Sequence, residues 1–328
     1  MKTNDLMKRG TEFLGSQVAI MAGAMSWVSE RNLVAAISNA GGFGVIAASS
    51  MPPHILDAEI KATQALTNKP FGVNLITMHP QIAELIEVCR ANKVTHVVFA
   101  GGLPKDTFIK AAKEFAKVVC FAPALVIAKK LIRTGADAIV IEGSEAGGHI
   151  GPVSTSVLAQ EILPHIKEVP IFVAGGIGRG EAIAEYLRMG ASGVQLGTKF
   201  VCASESIAHA NFKQMFIKSA ARNATVSVQV DPDFPVIPVR AIENKATDAF
   251  KRTQLETIAE FNAGKLSKEE AQLKIEHFWA GALRKAVIDG DIENGSVMAG
   301  QSVGMVDKIQ PAQEIINELM AQAEAQLA

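Results

Sequence analysis

The chain has 328 residues, 48% hydrophobic and 20% charged, with a net charge of −1. That composition can bury a large core and excludes a disordered polypeptide. The near-zero charge leaves no electrostatic footprint for nucleic acid or an anionic membrane. The three cysteines, Cys89, Cys120 and Cys202, form no Cys-x-x-Cys pair, and their odd number argues against a disulfide framework, so a reducing cytoplasm is expected. No uninterrupted apolar run approaches the length of a membrane span, and the N-terminal residues carry no apolar signal core.

In chain order, short apolar runs end in small residues and are followed by stretches of helical period. A strand at 17–21 ends in Ala22, Gly23, Ala24 and Met25, and a helix at 33–39 is stopped by Gly41 and Gly42. Strand 44–47, helix 54–66 and strand 71–75 follow, the last with polar Asn74 among apolar neighbours. Helix 82–91, strand 95–100, helix 107–115, strand 118–121 and helix 125–133 continue the alternation. Three further units centre on runs at 138–142, 170–174 and 193–196. The first breaks into a Gly-rich loop that carries Gly147 and His149; the second breaks into Gly175 and Gly176, the third into Gly197 and Thr198.

The runs begin near Val18, Gly44, Phe71, Thr95, Val118, Ala138, Ile171 and Gly193, a mean spacing of about 25 residues. That suits a strand, a helix and two short loops. Eight such units predict a (β/α)₈ TIM barrel, an α/β fold with its active groups on the loops after the strands. A six-strand doubly wound sheet is the alternative, but no G-x-G-x-x-G follows the first strand. Beyond residue 204 the pattern changes: a helix at 207–220, an alternating strand at 224–230, a Pro-rich turn at 231–238, and helices at 255–263 and 267–278. Residues 205–289 are therefore expected to form a small inserted cap, and 1–204 with 290–328 the barrel. A last helix starts at Pro311 and puts Ile315, Ile316, Leu319, Met320 and Ala323 on one face.

The loops after the seventh and eighth strands supply Ala174, Gly175 and Gly176, and Gln195, Leu196, Gly197 and Thr198. Either loop alone could serve only as a tight turn. Two on adjacent strands, with open backbone N–H groups and a hydroxyl, suit a phosphate dianion. Asn74 and Gln195 are amides in apolar strands, where an unpaired amide is costly, and they suit the polar edge of a flat ring such as a flavin. His149 follows small residues just past a strand end, where one imidazole can donate or accept a proton. No second His or Cys at ligand spacing accompanies it, so no metal is expected. Glu142 and Glu145 read equally as an acid pair or as acceptors for loop backbone.

These motifs together are familiar: residues 21–25, the 41–44 turn, 71–74, the 142–149 loop, 174–177 and 195–198 resemble the 2-nitropropane dioxygenase superfamily of FMN barrels. That superfamily holds nitronate monooxygenases and the enoyl-acyl-carrier-protein reductase II of the FabK type. The chain looks more like the reductase, because Glu142 stands where nitronate-oxidising relatives usually carry Gln, and because the 281–301 tail resembles the reductase closely. Ala24 departs from the usual Gly-Gly-Met turn, and 221–238 matches the reductase less well than its surroundings. The resemblance implies FMN held by Ala22, Gly23, Ala24, Met25, Asn74, Glu142, Gly147, Ala174, Gly175, Gly176, Gln195, Leu196, Gly197 and Thr198. It implies NADH or NADPH as co-substrate, an enoyl thioester on coenzyme A or acyl-carrier protein, His149 as the proton donor, and a homodimer. The alternative it carries is oxidation of nitronates with O₂.

Overall fold

The computed structural model describes residues 2–231, 234 and 236–328. Its strands in the first two thirds are β1 (Ile20–Ala22), β2 (Gly44–Ala47), β3 (Phe71–Ile76), β4 (His96–Ala100), β5 (Lys117–Phe121), β6 (Ala138–Glu142), β7 (Gly148–His149), β8 (Ile171–Ala174) and β9 (Gly193–Leu196). Among the described residues, all but β7 form one parallel sheet of eight strands, in the order β1, β9, β8, β6, β5, β4, β3, β2. The ends of that sheet meet: Ala22 N–H donates to the Phe43 carbonyl at 2.8 Å, and Phe43 N–H to that of Ile20 at 2.9 Å. The sheet is thus a closed (β/α)₈ barrel. Strands covered on both faces read as continuous apolar runs rather than alternating ones, which is why each stands out in the sequence.

The helices are α1 (Thr3–Leu14), α2 (Arg31–Asn39), α3 (Pro53–Leu66), α4 (Ile82–Ala91), α5 (Asp106–Lys113), α6 (Leu125–Thr134), α7 (Thr155–Ile162), α8 (Gly180–Arg188) and the single turn α9 (Thr198–Val201). Helix α1 is not foreseen by the strand–helix period, and it decides which end of the barrel is open. Phe13 near its end packs edge-on against His96, with ring centroids 5.2 Å apart. His96 Nε2 lies 2.9 Å from the Phe13 carbonyl, and Lys117 Nζ donates to the same oxygen. His96 and Lys117 are the first residues of β4 and β5, so α1 plugs the N-terminal end of the strands. Burial lowers the His96 pKa to about 4, so this imidazole is neutral at physiological pH. The C-terminal ends, with their loops, are left for chemistry.

The rest comprises α10 (Ala210–Lys218), β10 (Ala224–Val226), β11 (Val239–Ile242), α11 (Lys245–Asn262), α12 (Lys268–Val287), β12 (Val297–Met298) and α13 (Ala312–Leu327). Two apolar clusters hold it. Phe212 and Phe216 of α10 and Leu283, Ala286 and Val287 of α12 join the barrel core. A second cluster is built from Phe234, Val239, Phe250, Ile258, Ala271, Ile275 and Trp279. Antiparallel pairing of β11 with β10, β12 and β7 makes a small sheet over the barrel mouth.

Several elements differ from the sequence expectation. Helix α11 begins ten residues before 255, because Asn244 caps it with Thr247 in a reciprocal box. Buried Gln254 and Thr257 interrupt the apolar period there. Strand β10 stops at Val226, and Val228 beyond it is exposed. The expected turn at 231–238 includes residues 232, 233 and 235, which lie outside the described residues. In α13 the buried face is the expected one, but Pro311 precedes the helix as its cap. The three cysteines are buried and unpaired. No helix among the described residues is long and apolar enough to cross a membrane.

Candidate active site

The C-terminal end of the barrel brings three of the expected residues, Glu142, Ala174 and Gln195, into one register with Met21. Met21 pairs with Gln195, Gln195 with Ala174, and Ala174 with Glu142. Residues paired in a parallel sheet share a face, so Met21, Gln195, Ala174 and Glu142 form one lateral row across four strands. Asn74 lies in a second row with Ala47 and Val98, which continues through Val119 to Ala138. Ala138 and Glu142 are four positions apart on β6, so both rows occupy the same face of the sheet.

Polar groups in these rows lack protein partners. Gln195 is 6% exposed, and among the described residues nothing hydrogen-bonds its amide. Asn74 is 3% exposed; its Nδ2 donates to the Val98 carbonyl at 3.2 Å, and nothing described pairs with its Oδ1. The Glu142 carboxyl has no cation or donor among the described residues, and burial raises its pKa to about 7. Two amides and a carboxyl with hydrogen-bonding capacity that the protein leaves unused, all at one end of the barrel, suit a polar ligand.

The loop after β1 is fixed by Ser29. Its hydroxyl donates to the Gly23 carbonyl at 2.9 Å and accepts from Met25 N–H at 3.0 Å. Gly23 N–H donates to the Leu196 carbonyl at 2.8 Å, tying this loop to the one after β9. In the loop after β8, Gly175 and Gly176 have φ of +93° and +71°, a region that L side chains rarely adopt. The N–H groups of Gly176, Ile177 and Gly178 have no acceptor among the described residues. They lead into α8, where a phosphate would be favoured. Thr198 Oγ1 accepts from Gly300 N–H at 3.0 Å and keeps its own proton to donate.

Glu145 serves the loop backbone rather than an acid pair. Its Oε2 accepts from Thr155 N–H at the start of α7 and lies 2.9 Å from the Thr155 hydroxyl, which is also 3.0 Å from the Gly175 carbonyl. Gly147 is packed against the backbone of Ala299 and Gly300. His149 is exposed, on the edge strand β7, directly opposite Val239 of β11. Ser29, Thr155 and Arg240 are not singled out by the sequence, and the 295–301 loop stands out there only as part of the tail that resembles the reductase. Ser29 and Thr155 sit at helix starts, where hydroxyls are common, while the contacts of Arg240 and Gly300 come from distant segments with no local signature.

FMN, the group implied by the resemblance, needs donors for a phosphate dianion and amides for a ring edge. The unbonded N–H groups at 176–178, the Thr198 hydroxyl, the free Oδ1 of Asn74 and the Gln195 amide fit both needs. Among the described residues no cluster of His, Cys, Asp and Glu could hold a metal.

The model of a family described as nitronate monooxygenase matches residues 8–92 and 81–322. A relative from Mycobacterium tuberculosis, (3aS,4S,5R,7aS)-5-hydroxy-7a-methyl-1-oxo-octahydro-1H-indene-4-carboxyl-CoA dehydrogenase, is 29% identical, covering 95% of each chain. The nitronate monooxygenase of Paraburkholderia phytofirmans is 26% identical over 93% of this chain and 92% of its own. Among solved structures, FabK from Thermotoga maritima superposes with a TM-score of 0.86 at 34% identity, covering 97% of this chain and 96% of the other.

Proposed function

This chain belongs to the nitronate monooxygenase family of oxidoreductases, and from that premise we propose that it reduces trans-2-enoyl thioesters with NADH or NADPH through bound FMN. The observation that carries the reading is Glu142. It is a partly buried carboxyl at the end of β6, in one row with Ala174 and Gln195, where the resemblance separates the reductase type from its nitronate-oxidising relatives. The likeness to a FabK structure supports the same choice. So does a relative named for a coenzyme-A thioester substrate.

FMN, when bound, supplies a two-electron hydride carrier. The chain's own groups do the rest. The N–H groups of Gly176 to Gly178 and the Thr198 hydroxyl hold the phosphate. Asn74 and Gln195 would pair with the ring edge, and the backbone of Ala22 to Met25 would help hold the ring. Glu142, neutral below pH 7, can donate a hydrogen bond there and becomes an acceptor above it. His149, at the mouth, delivers a proton to the α-carbon of the thioester as the β-carbon is reduced. The 205–289 cap excludes water and selects the acyl chain, and a homodimer in the cytoplasm belongs to the same proposal.

Replacing His149 by Ala tests this. Reduction of FMN by the nicotinamide should survive, while reoxidation by crotonyl thioester should slow by about 10²-fold or more, the usual loss on removing a general acid. Equal loss in both half-reactions would make His149 a structural residue. A second reading, nitronate oxidation with O₂, is favoured by the family description and by the Paraburkholderia relative. There His149 would take the α-proton of a nitroalkane.

A further inference from the structure

Arg240 is 7% exposed, on the cap strand β11. Its Nε donates to the Ser144 carbonyl at 2.9 Å, in the loop after β6. Its Nη1 donates to the Ala224 carbonyl at 2.6 Å, in β10. One guanidinium therefore joins the far edge of the cap sheet to the barrel loop that carries His149. The residue directly opposite Arg240 is Gly148, the neighbour of His149 on β7.

The loop needs such a tie. Gly143, Gly147, Gly148 and Gly151 give the segment high conformational entropy in the absence of a restraint. It pairs with β11 through Gly148 and His149, Ile150 N–H adds one bond to the Pro238 carbonyl at 3.0 Å, and a ladder that short is marginal by itself. A buried cation held by two carbonyls, with the Glu145 charge nearby, adds charge-assisted bonds in a fixed fork geometry that one ammonium cannot reproduce.

We propose that Arg240 is a positioning residue, clamping the 143–151 loop to the cap so that His149 and the substrate cover form one rigid piece. Its consequence for turnover rests on the reading of His149 as proton donor; the clamp itself does not. A substrate that seats the cap thereby also places the imidazole.

The test uses FMN-loaded protein carrying Arg240→Met, which keeps the stem and removes both donors, with Arg240→Lys as the variant that keeps the charge. Hydrogen exchange of the 143–151 amides should rise by about 10-fold or more in Arg240→Met and less in Arg240→Lys. FMN reduction by the nicotinamide should stay within about 2-fold of wild type, and reoxidation by crotonyl thioester should fall by about 10- to 100-fold, the scale of a displaced catalytic group. Adding Arg240→Met to His149→Ala should cost nothing further, because the two act as a unit. Unchanged exchange in both variants overturns the clamp. A multiplicative loss in the double variant overturns the route through His149. If His149→Ala alone reoxidises normally, the proton-donor reading fails, and the exchange data still decide the clamp.

Discussion

Gly147 and Gly300 meet backbone to backbone: a Cβ placed on Gly147 would stand 2.5 Å from the Gly300 amide nitrogen. The contact stacks the 295–301 loop on the His149 loop, and Gly300 N–H passes the restraint to Thr198 Oγ1 at 3.0 Å. Gly147→Ala should therefore displace the 295–301 loop at a cost of about 1–3 kcal/mol, the range for overpacking. Thr198 would lose its fixed orientation, and FMN affinity should fall about 10-fold in a fluorescence titration of apoprotein. Wild-type affinity together with wild-type Tm would mean the two loops are not so closely packed in solution.

Gly176→Asp places a side chain at φ +71° and a charge beside Glu145, whose Cβ would be 3.0 Å from the new Cβ. A carboxylate within a few ångströms of a phosphate dianion should lower FMN affinity by about 10²-fold or more. Gly176→Ala, with the strain but not the charge, should lose less. Retained FMN in the Asp variant, read from its absorbance after gel filtration, would remove the phosphate from this loop.

Glu142 gives a pH signature. Its folded-state pKa is raised from 4.5 to about 7 by burial. The neutral carboxyl is the form the fold prefers, so its contribution is fully present below pH 4.5 and is lost as pH rises through 7. Apoprotein carrying Glu142→Gln, which stays neutral, should match wild type near pH 5 and exceed it near pH 8 by a few °C in Tm. Parallel Tm curves across that window would place Glu142 in water or beside a cation.

The barrel is legible in the sequence because each strand is a buried apolar run closed by small residues, as at 138–142 and 193–196. The Gly-rich loops proposed to hold a phosphate stand out for the same reason, since Gly175 and Gly176 come directly after such a run. Long-range pairings are not. That two residues, Gly148 and His149, join a cap strand ninety positions away is set by register and by Arg240, and neither leaves a periodic trace. Glu145 shows a different limit. A carboxylate in a Gly-rich loop looks catalytic until its partner, the N–H of Thr155, is known. Helix α1 is missed because its buried residues, Met7, Gly10, Phe13 and Leu14, are few and it lies before the first strand.

Under the reductase proposal, the reduced enzyme delivers its electrons to an enoyl thioester. The most direct measurement is a stopped-flow experiment mixing FMN-loaded protein, reduced with one equivalent of NADH or NADPH, with crotonyl thioester, an alkyl nitronate or O₂ in parallel. Flavin absorbance should recover much faster with the thioester than with either of the others. Rapid recovery with nitronate or O₂, and none with the thioester, would contradict the reductase assignment and leave nitronate oxidation as the activity.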